Sequence, residues 1–157
     1  MSSEIQPSSN LSSDALHIGI VASRFNLTLV DALLKRVTEC ISSNGDPEVL
    51  LIERVPGAHE IPSALSLLLQ ASKFSCLIGL GVVLKGATSH HHLVAESAGN
   101  AIQHLVIKYN TPIINGIVVT DTLVDAEERI TGKLDRGHEF AHAAIEMGNL
   151  YKKWTKI

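Results

Sequence analysis

Phe74 to His92 reads FSCLIGLGVVLKGATSHHH, and the reading of this stretch decides the fold. Phe74 to Leu84 is almost entirely apolar, which suits a short strand covered on both faces, as in a parallel sheet. A cation, Lys85, follows at once, then Gly86, Ala87, Thr88 and Ser89, then three histidines. The stretch predicts a buried strand, a small-residue loop and the start of a helix. Open α/β sheets bind ligands at such a point, outside the carboxyl ends of strands and at the amino ends of the following helices. An ammonium, backbone N–H groups and imidazoles would meet there, which suits chemistry on a small anionic molecule.

On either side of this stretch the chain alternates in the same manner. Residues 16–22 (LHIGIVA) form an apolar run ending in the polar Ser23-Arg24-Phe25-Asn26. Over residues 28–43, Leu29, Leu33, Leu34, Val37 and Ile41 recur at helical spacing. Asn44-Gly45-Asp46-Pro47 signals a turn, residues 48–55 (EVLLIERV) suit a strand, and Pro56-Gly57 breaks it before a helix from Ile61 to Ser72. After the central stretch come a helix over about 90–109, a break at Asn110-Thr111-Pro112 and a strand over 113–119. Residues 123–154 read as helix interrupted near Gly132 to Gly137. Strand–helix alternation with short links predicts a three-layer α/β/α sandwich on a four-stranded parallel sheet. Residues 14–157 read as one domain, and residues 1–13 as a flexible leading segment.

Composition narrows the function classes. With 157 residues the chain is long enough to bury a core in one domain. It is 45% apolar and 18% charged, the balance of a globular protein. A net charge of −3 without a basic stripe argues against nucleic-acid binding. Met1 to Ser13 lacks the basic start and apolar stretch of a signal peptide, and no apolar run reaches the ~20 residues of a membrane span. Cys40 and Cys76 stand far apart, as reduced thiols of a cytoplasmic protein would.

The polar groups follow the strands. The first strand delivers Arg24, Phe25 and Asn26 to the carboxyl edge. The second delivers Pro56 to Glu60, the third Lys85 to His92, and the fourth Thr120 and Asp121. Four clusters are thus expected at one edge. Gly86, Ala87 and Thr88 offer N–H groups at a helix start, a physical basis for anion binding. Consecutive helical residues point about 100° apart, so His90, His91 and His92 are poorly placed to chelate one ion, and no metal is expected there.

SRFN after the first strand, VPGAHEIP after the second and GVVLKGATSHHHLVAES after the third together resemble the lumazine synthase family. NGIVVTDTLVDAEERITGK and AHAAIEMGNL fit its later half, so the resemblance covers roughly residues 15–153. It implies a flavodoxin-like fold. It also implies condensation of 5-amino-6-(D-ribitylamino)uracil with 3,4-dihydroxy-2-butanone 4-phosphate, without metal or organic cofactor. Imine formation, phosphate elimination and ring closure all move protons, which suits an imidazole.

By this resemblance His90 is the catalytic histidine, while His91 and His92 pack or face solvent. Phe25 stacks on the pyrimidine, and Asn26 beside it also binds substrate. Glu60 and the backbone of Ala58 and His59 hold the ribityl chain, and Val82, Val83 and Leu84 at the strand end also bind substrate. Lys85, Ala87 and Thr88 receive phosphate, Lys85 replacing the family's more usual arginine at the loss of a bidentate fork. Arg129 grips the phosphate and Lys133 contacts the pyrimidine side, both from an adjacent subunit. They stand one helical turn apart and are expected on one helix face. Asn115 stands where the family often carries phenylalanine on the neighbour's wall.

A homopentamer with active sites between subunits is therefore implied, and the 60-subunit icosahedral shell of many members stays open. Ser3 to Leu11 is expected to add an edge strand to a neighbour's sheet. A flavin carrier of flavodoxin type would share the architecture but needs a Ser/Thr/Gly-rich phosphate loop after the first strand, where this chain has SRFN.

Overall fold

A computed structural model describes residues 11–156. Except for Leu11, the expected edge strand at the start of the chain lies outside the described residues. Four parallel strands form the centre: β1 (His17–Ser23), β2 (Val49–Val55), β3 (Cys76–Leu84) and β4 (Ile113–Thr120), in the order β2-β1-β3-β4. Five helices cover them: α1 (Leu27–Ser43), α2 (Ile61–Ala71), α3 (His90–Tyr109), α4 (Leu123–Ile130) and α5 (Arg136–Thr155). Among the described residues no helix is long and apolar enough to cross a membrane.

Side-chain alternation explains the three layers. Ile18, Ile20 and Ala22 of β1 and Cys76, Ile78, Leu80 and Val82 of β3 point to one face. There they pack with Leu33, Val37 and Ile41 of α1, Ala126 and Ile130 of α4, and Ala141, Ala144 and Ile145 of α5. Val21 and Leu77 point to the other face, against Ile61 and Leu65 of α2 and Ile102 of α3. β3 is buried along most of its length because both faces are covered, as its apolar sequence requires. Gly79 is needed for this packing, since a Cβ there would stand 2.7 Å from Cγ2 of Ile61. β2, at the sheet's edge, is more open, with Ile52 exposed.

The order β2-β1-β3 creates a switch point. From β1 the chain steps outward to β2, then returns past β1 to β3. Helices diverge from the carboxyl ends of β1 and β3 and leave a crevice there. The boundaries match the sequence reading closely, but two details differ. A single 3₁₀ turn, Ala58–Glu60, precedes α2. And α4 ends at Ile130, so Lys133 is not on a helix with Arg129, as helical spacing had suggested. The N–H groups of Thr131 and Gly132 both turn back to the Glu127 carbonyl, at 2.8 and 3.0 Å. A Cβ on Gly132 would fall 2.6 Å from the Glu128 carbonyl oxygen, so the tight exit from α4 depends on glycine.

Candidate active site at the carboxyl edge of the sheet

The crevice at the switch point is a pocket of about 440 Å³. Phe25 and Asn26 line it from the loop after β1, Gly57 to Glu60 from the turn after β2, and Val82 to Leu84 from the end of β3. Gly86, Thr88, His90, His91 and Val94 close it from the loop and first turns of α3. Three of the four expected clusters therefore meet in one chain. The fourth only adjoins them: the Thr120 carbonyl accepts the Lys85 N–H at 3.0 Å, and Asp121 stands 3.9 Å from Nε2 of His91.

The loops are tied together by their backbones. Arg24 N–H donates to the carbonyls of Val55 (2.8 Å) and Pro56 (3.2 Å), and Phe25 N–H donates to Pro56 (3.0 Å). Asn26 caps α1 in the left-handed region, at φ 57° and ψ 48°, a conformation asparagine tolerates better than most residues. Its Nδ2 then reaches across the switch point to donate to the Val82 carbonyl at 2.8 Å. This clamps the β1 loop to the end of β3, so Asn26 shapes the pocket as well as lining it.

These ties leave Phe25 standing free. Its ring is 73% exposed at the pocket, which removes a core role and leaves a face for a planar ligand. Oε2 of Glu60 accepts the Gly57 N–H at 2.9 Å, which fixes the carboxylate at the mouth. Its second oxygen is unpaired among the described residues. Nε2 of His59 lies 3.5 Å from Oγ of Ser97, so this side chain is tethered to α3 as well as lending its backbone to the turn.

On the loop before α3, the Thr88 hydroxyl lies 3.4 Å from the His90 N–H and accepts from it. His90 is exposed and lines the pocket, as a proton-transferring group must. Lys85 and Ala87 are exposed in the same loop, with Gly86 and Thr88 on the pocket wall between and beside them.

The histidine run divides. His92 faces solvent, whereas His91 is buried, both its ring nitrogens lack a hydrogen-bond partner, and it lines the pocket. Positions 91, 94, 98 and 102 form the inward stripe of α3, with Ala98 and Ile102 buried on it. That spacing was legible in the sequence and would have separated His91 from its neighbours.

Three expected residues lie elsewhere. Arg129 sits in the last turn of α4, with Nη1 donating to the Asp125 carbonyl at 3.2 Å. Lys133 is exposed in the turn that follows, and Asn115 is exposed on β4 with Oδ1 accepting the Ile117 N–H at 3.1 Å. None of them lines the pocket of its own chain.

A family model described as 6,7-dimethyl-8-ribityllumazine synthase matches residues 15–152. The chain belongs to that family. A lumazine synthase of Burkholderia mallei (strain SAVP1) is 40% identical over 142 residues, covering 90% of this chain and 80% of the relative. One of Azoarcus sp. (strain BH72) is 39% identical over 145 residues, covering 92% of this chain and 91% of the relative. The matched region contains the whole pocket and also Asn115, Arg129 and Lys133, which do not line it.

Proposed function

We propose that the pocket at the switch point is the active site of this lumazine synthase family member and that a second copy completes it. The reaction is the condensation of 5-amino-6-(D-ribitylamino)uracil with 3,4-dihydroxy-2-butanone 4-phosphate. The products are 6,7-dimethyl-8-ribityllumazine, phosphate and water, and the step is the penultimate one of riboflavin biosynthesis. One observation carries the assignment of the site: Phe25, Glu60, Thr88 and His90, from three separate loops, line one pocket.

In this reading Phe25 stacks on the pyrimidine. Glu60, held by Gly57, accepts from the ribityl hydroxyls beside the backbone of Ala58 and His59. Lys85 and the N–H groups and hydroxyl of Gly86 to Thr88 take the phosphate. His90 moves protons between the amine, the carbonyl and the leaving group, shifting them within its reach as the imine forms and the ring closes. Val82, Val83 and Leu84 form an apolar floor that limits water around the reacting carbon.

Arg129, Lys133 and Asn115 then belong to a neighbour's pocket. None of the three lines the pocket of its own chain, which supports this. A guanidinium from the next subunit would complete the phosphate site. The assembly in this reading is a homopentamer, with the leading segment 1–13 adding to a neighbour's sheet and residues 14–157 forming the domain. The buried, unpaired cysteines fit a cytoplasmic setting.

The test is direct. Purified protein given both substrates, without added metal, forms the lumazine, read by its absorbance. Product formation no faster than the uncatalysed condensation would overturn the reading.

A further inference from the structure

A second cluster of reactive side chains lies on the opposite side of the molecule from α2 and α3, where α1 meets α5. The helices approach closely because α5 presents small buried residues, Gly137, Ala141, Ala144 and Gly148. A Cβ on Gly137 would stand 2.8 Å from Cβ of Arg36. At this crossing Arg36 grips Asp135, the cap of α5, through two parallel bonds: Nε to Oδ1 at 2.9 Å and Nη2 to Oδ2 at 2.7 Å. One turn further along α1 is Cys40, whose Sγ lies 3.6 Å from Nδ1 of His138. His142 follows His138 by one turn, and their ring centroids are 3.9 Å apart.

The donor atoms of Cys40, His138 and His142 all lie within 4.8 Å of one another. A tetrahedral zinc ion bonded to sulfur at about 2.3 Å and to nitrogen at about 2.0–2.1 Å sets those two ligands roughly 3.5 Å apart. The Cys40–His138 separation already has that value. His138-Glu139-Phe140-Ala141-His142 is also the i, i+4 histidine spacing that puts two imidazoles on one helix face. We propose that Cys40, His138 and His142 form a binding site for a zinc-class divalent cation, with water as the fourth ligand.

The surroundings favour this donor set. Nη2 of Arg36 stands 3.4 Å from Nδ1 of His138, a weak contact that a metal bound at this nitrogen displaces while Arg36 keeps its two bonds to Asp135. Burial, then the neighbouring His138 and Arg36, lowers the pKa of His142, which favours its neutral form. Burial pushes the Cys40 thiol up, and a bound cation displaces its proton. One thiolate and two neutral imidazoles are the ligand chemistry of zinc rather than of magnesium or calcium. The H-E-x-x-H spacing does not by itself make the site hydrolytic, because Glu139 is ion-paired through Oε2 with Nη1 of Arg136 at 2.5 Å. The site would instead join α1 to α5.

Cobalt(II) titration of the metal-stripped, assembled, reduced protein tests the proposal. One equivalent per chain should bind, giving a thiolate-to-cobalt charge-transfer band and strong tetrahedral d–d absorption, both removed by zinc. Cys40→Ser should abolish the charge-transfer band, and His142→Gln should weaken cobalt binding at least ~10-fold. His92→Ala, which alters the exposed histidine run, should change neither. Absence of the band in the unmodified protein, or its survival in Cys40→Ser, would overturn the proposal. Lumazine formation by the stripped protein is measured in parallel and is expected to be unchanged, so failure of the metal site and failure of the active-site reading give different results.

Discussion

The loops after β1, β2 and β3 and the region from β4 through the turn after α4 carry similar numbers of polar groups, but they use them differently. The first three converge because strands in one sheet must deliver their carboxyl ends to one edge. Backbone bonds from Arg24 and Phe25 to Val55 and Pro56, and the Asn26–Val82 bond, then lock them together. Asn115, Arg129 and Lys133 do not line the pocket at that edge. Sheet geometry alone assembles the pocket within one chain, and in the proposed reading a second chain supplies the rest of the site.

Breaking each half should have different consequences. The largest loss is expected from Arg129→Ala, about 100-fold in kcat/KM, the scale for removing a preorganised charge from a developing anion. The variant should still fold, since among the described residues Arg129 makes only one hydrogen bond, to a carbonyl of its own helix. Steady-state rates with a melting curve check both points. His90→Ala should lower kcat at least ~10-fold. General acid–base groups supply ~10²–10⁴-fold, but this condensation also proceeds slowly by itself. A large loss in His91→Ala with none in His90→Ala would transfer the role to the buried imidazole.

Smaller effects sharpen the comparison. Phe25→Ala should raise KM for the pyrimidine about 5–10-fold with little change in kcat, as expected for about 1 kcal/mol of stacking. Asp135→Ala should leave activity unchanged and cost about 1 kcal/mol in stability. It removes the cap of α5 and a partly exposed ion pair, in which Arg36 holds the Asp135 carboxyl below the usual range. Thermal unfolding of the metal-free protein measures that change.

Much of this was legible in the sequence. The unbroken apolar run of β3 could only be a strand covered on both sides, and the links after each strand placed Phe25, Glu60 and His90 at one edge. What stayed hidden depended on local exits and facing helices. Lys133 left the helix because two N–H groups share the Glu127 carbonyl, a backbone event that helical spacing does not report. The three adjacent histidines drew attention from the His138–His142 pair. Its partner, Cys40, is 98 residues from His138 in the chain and meets it only where α1 crosses α5.

The shared site is tested most directly by subunit mixing. His90→Ala and Arg129→Ala proteins, each with its lowered activity measured first, are dissociated, combined and reassembled. Some boundaries in the mixture then pair an intact His90 pocket with an intact Arg129 from the neighbour, and part of the activity should return. If both parents reassemble and the mixture shows no more activity than the average of the two alone, the two halves do not form one site.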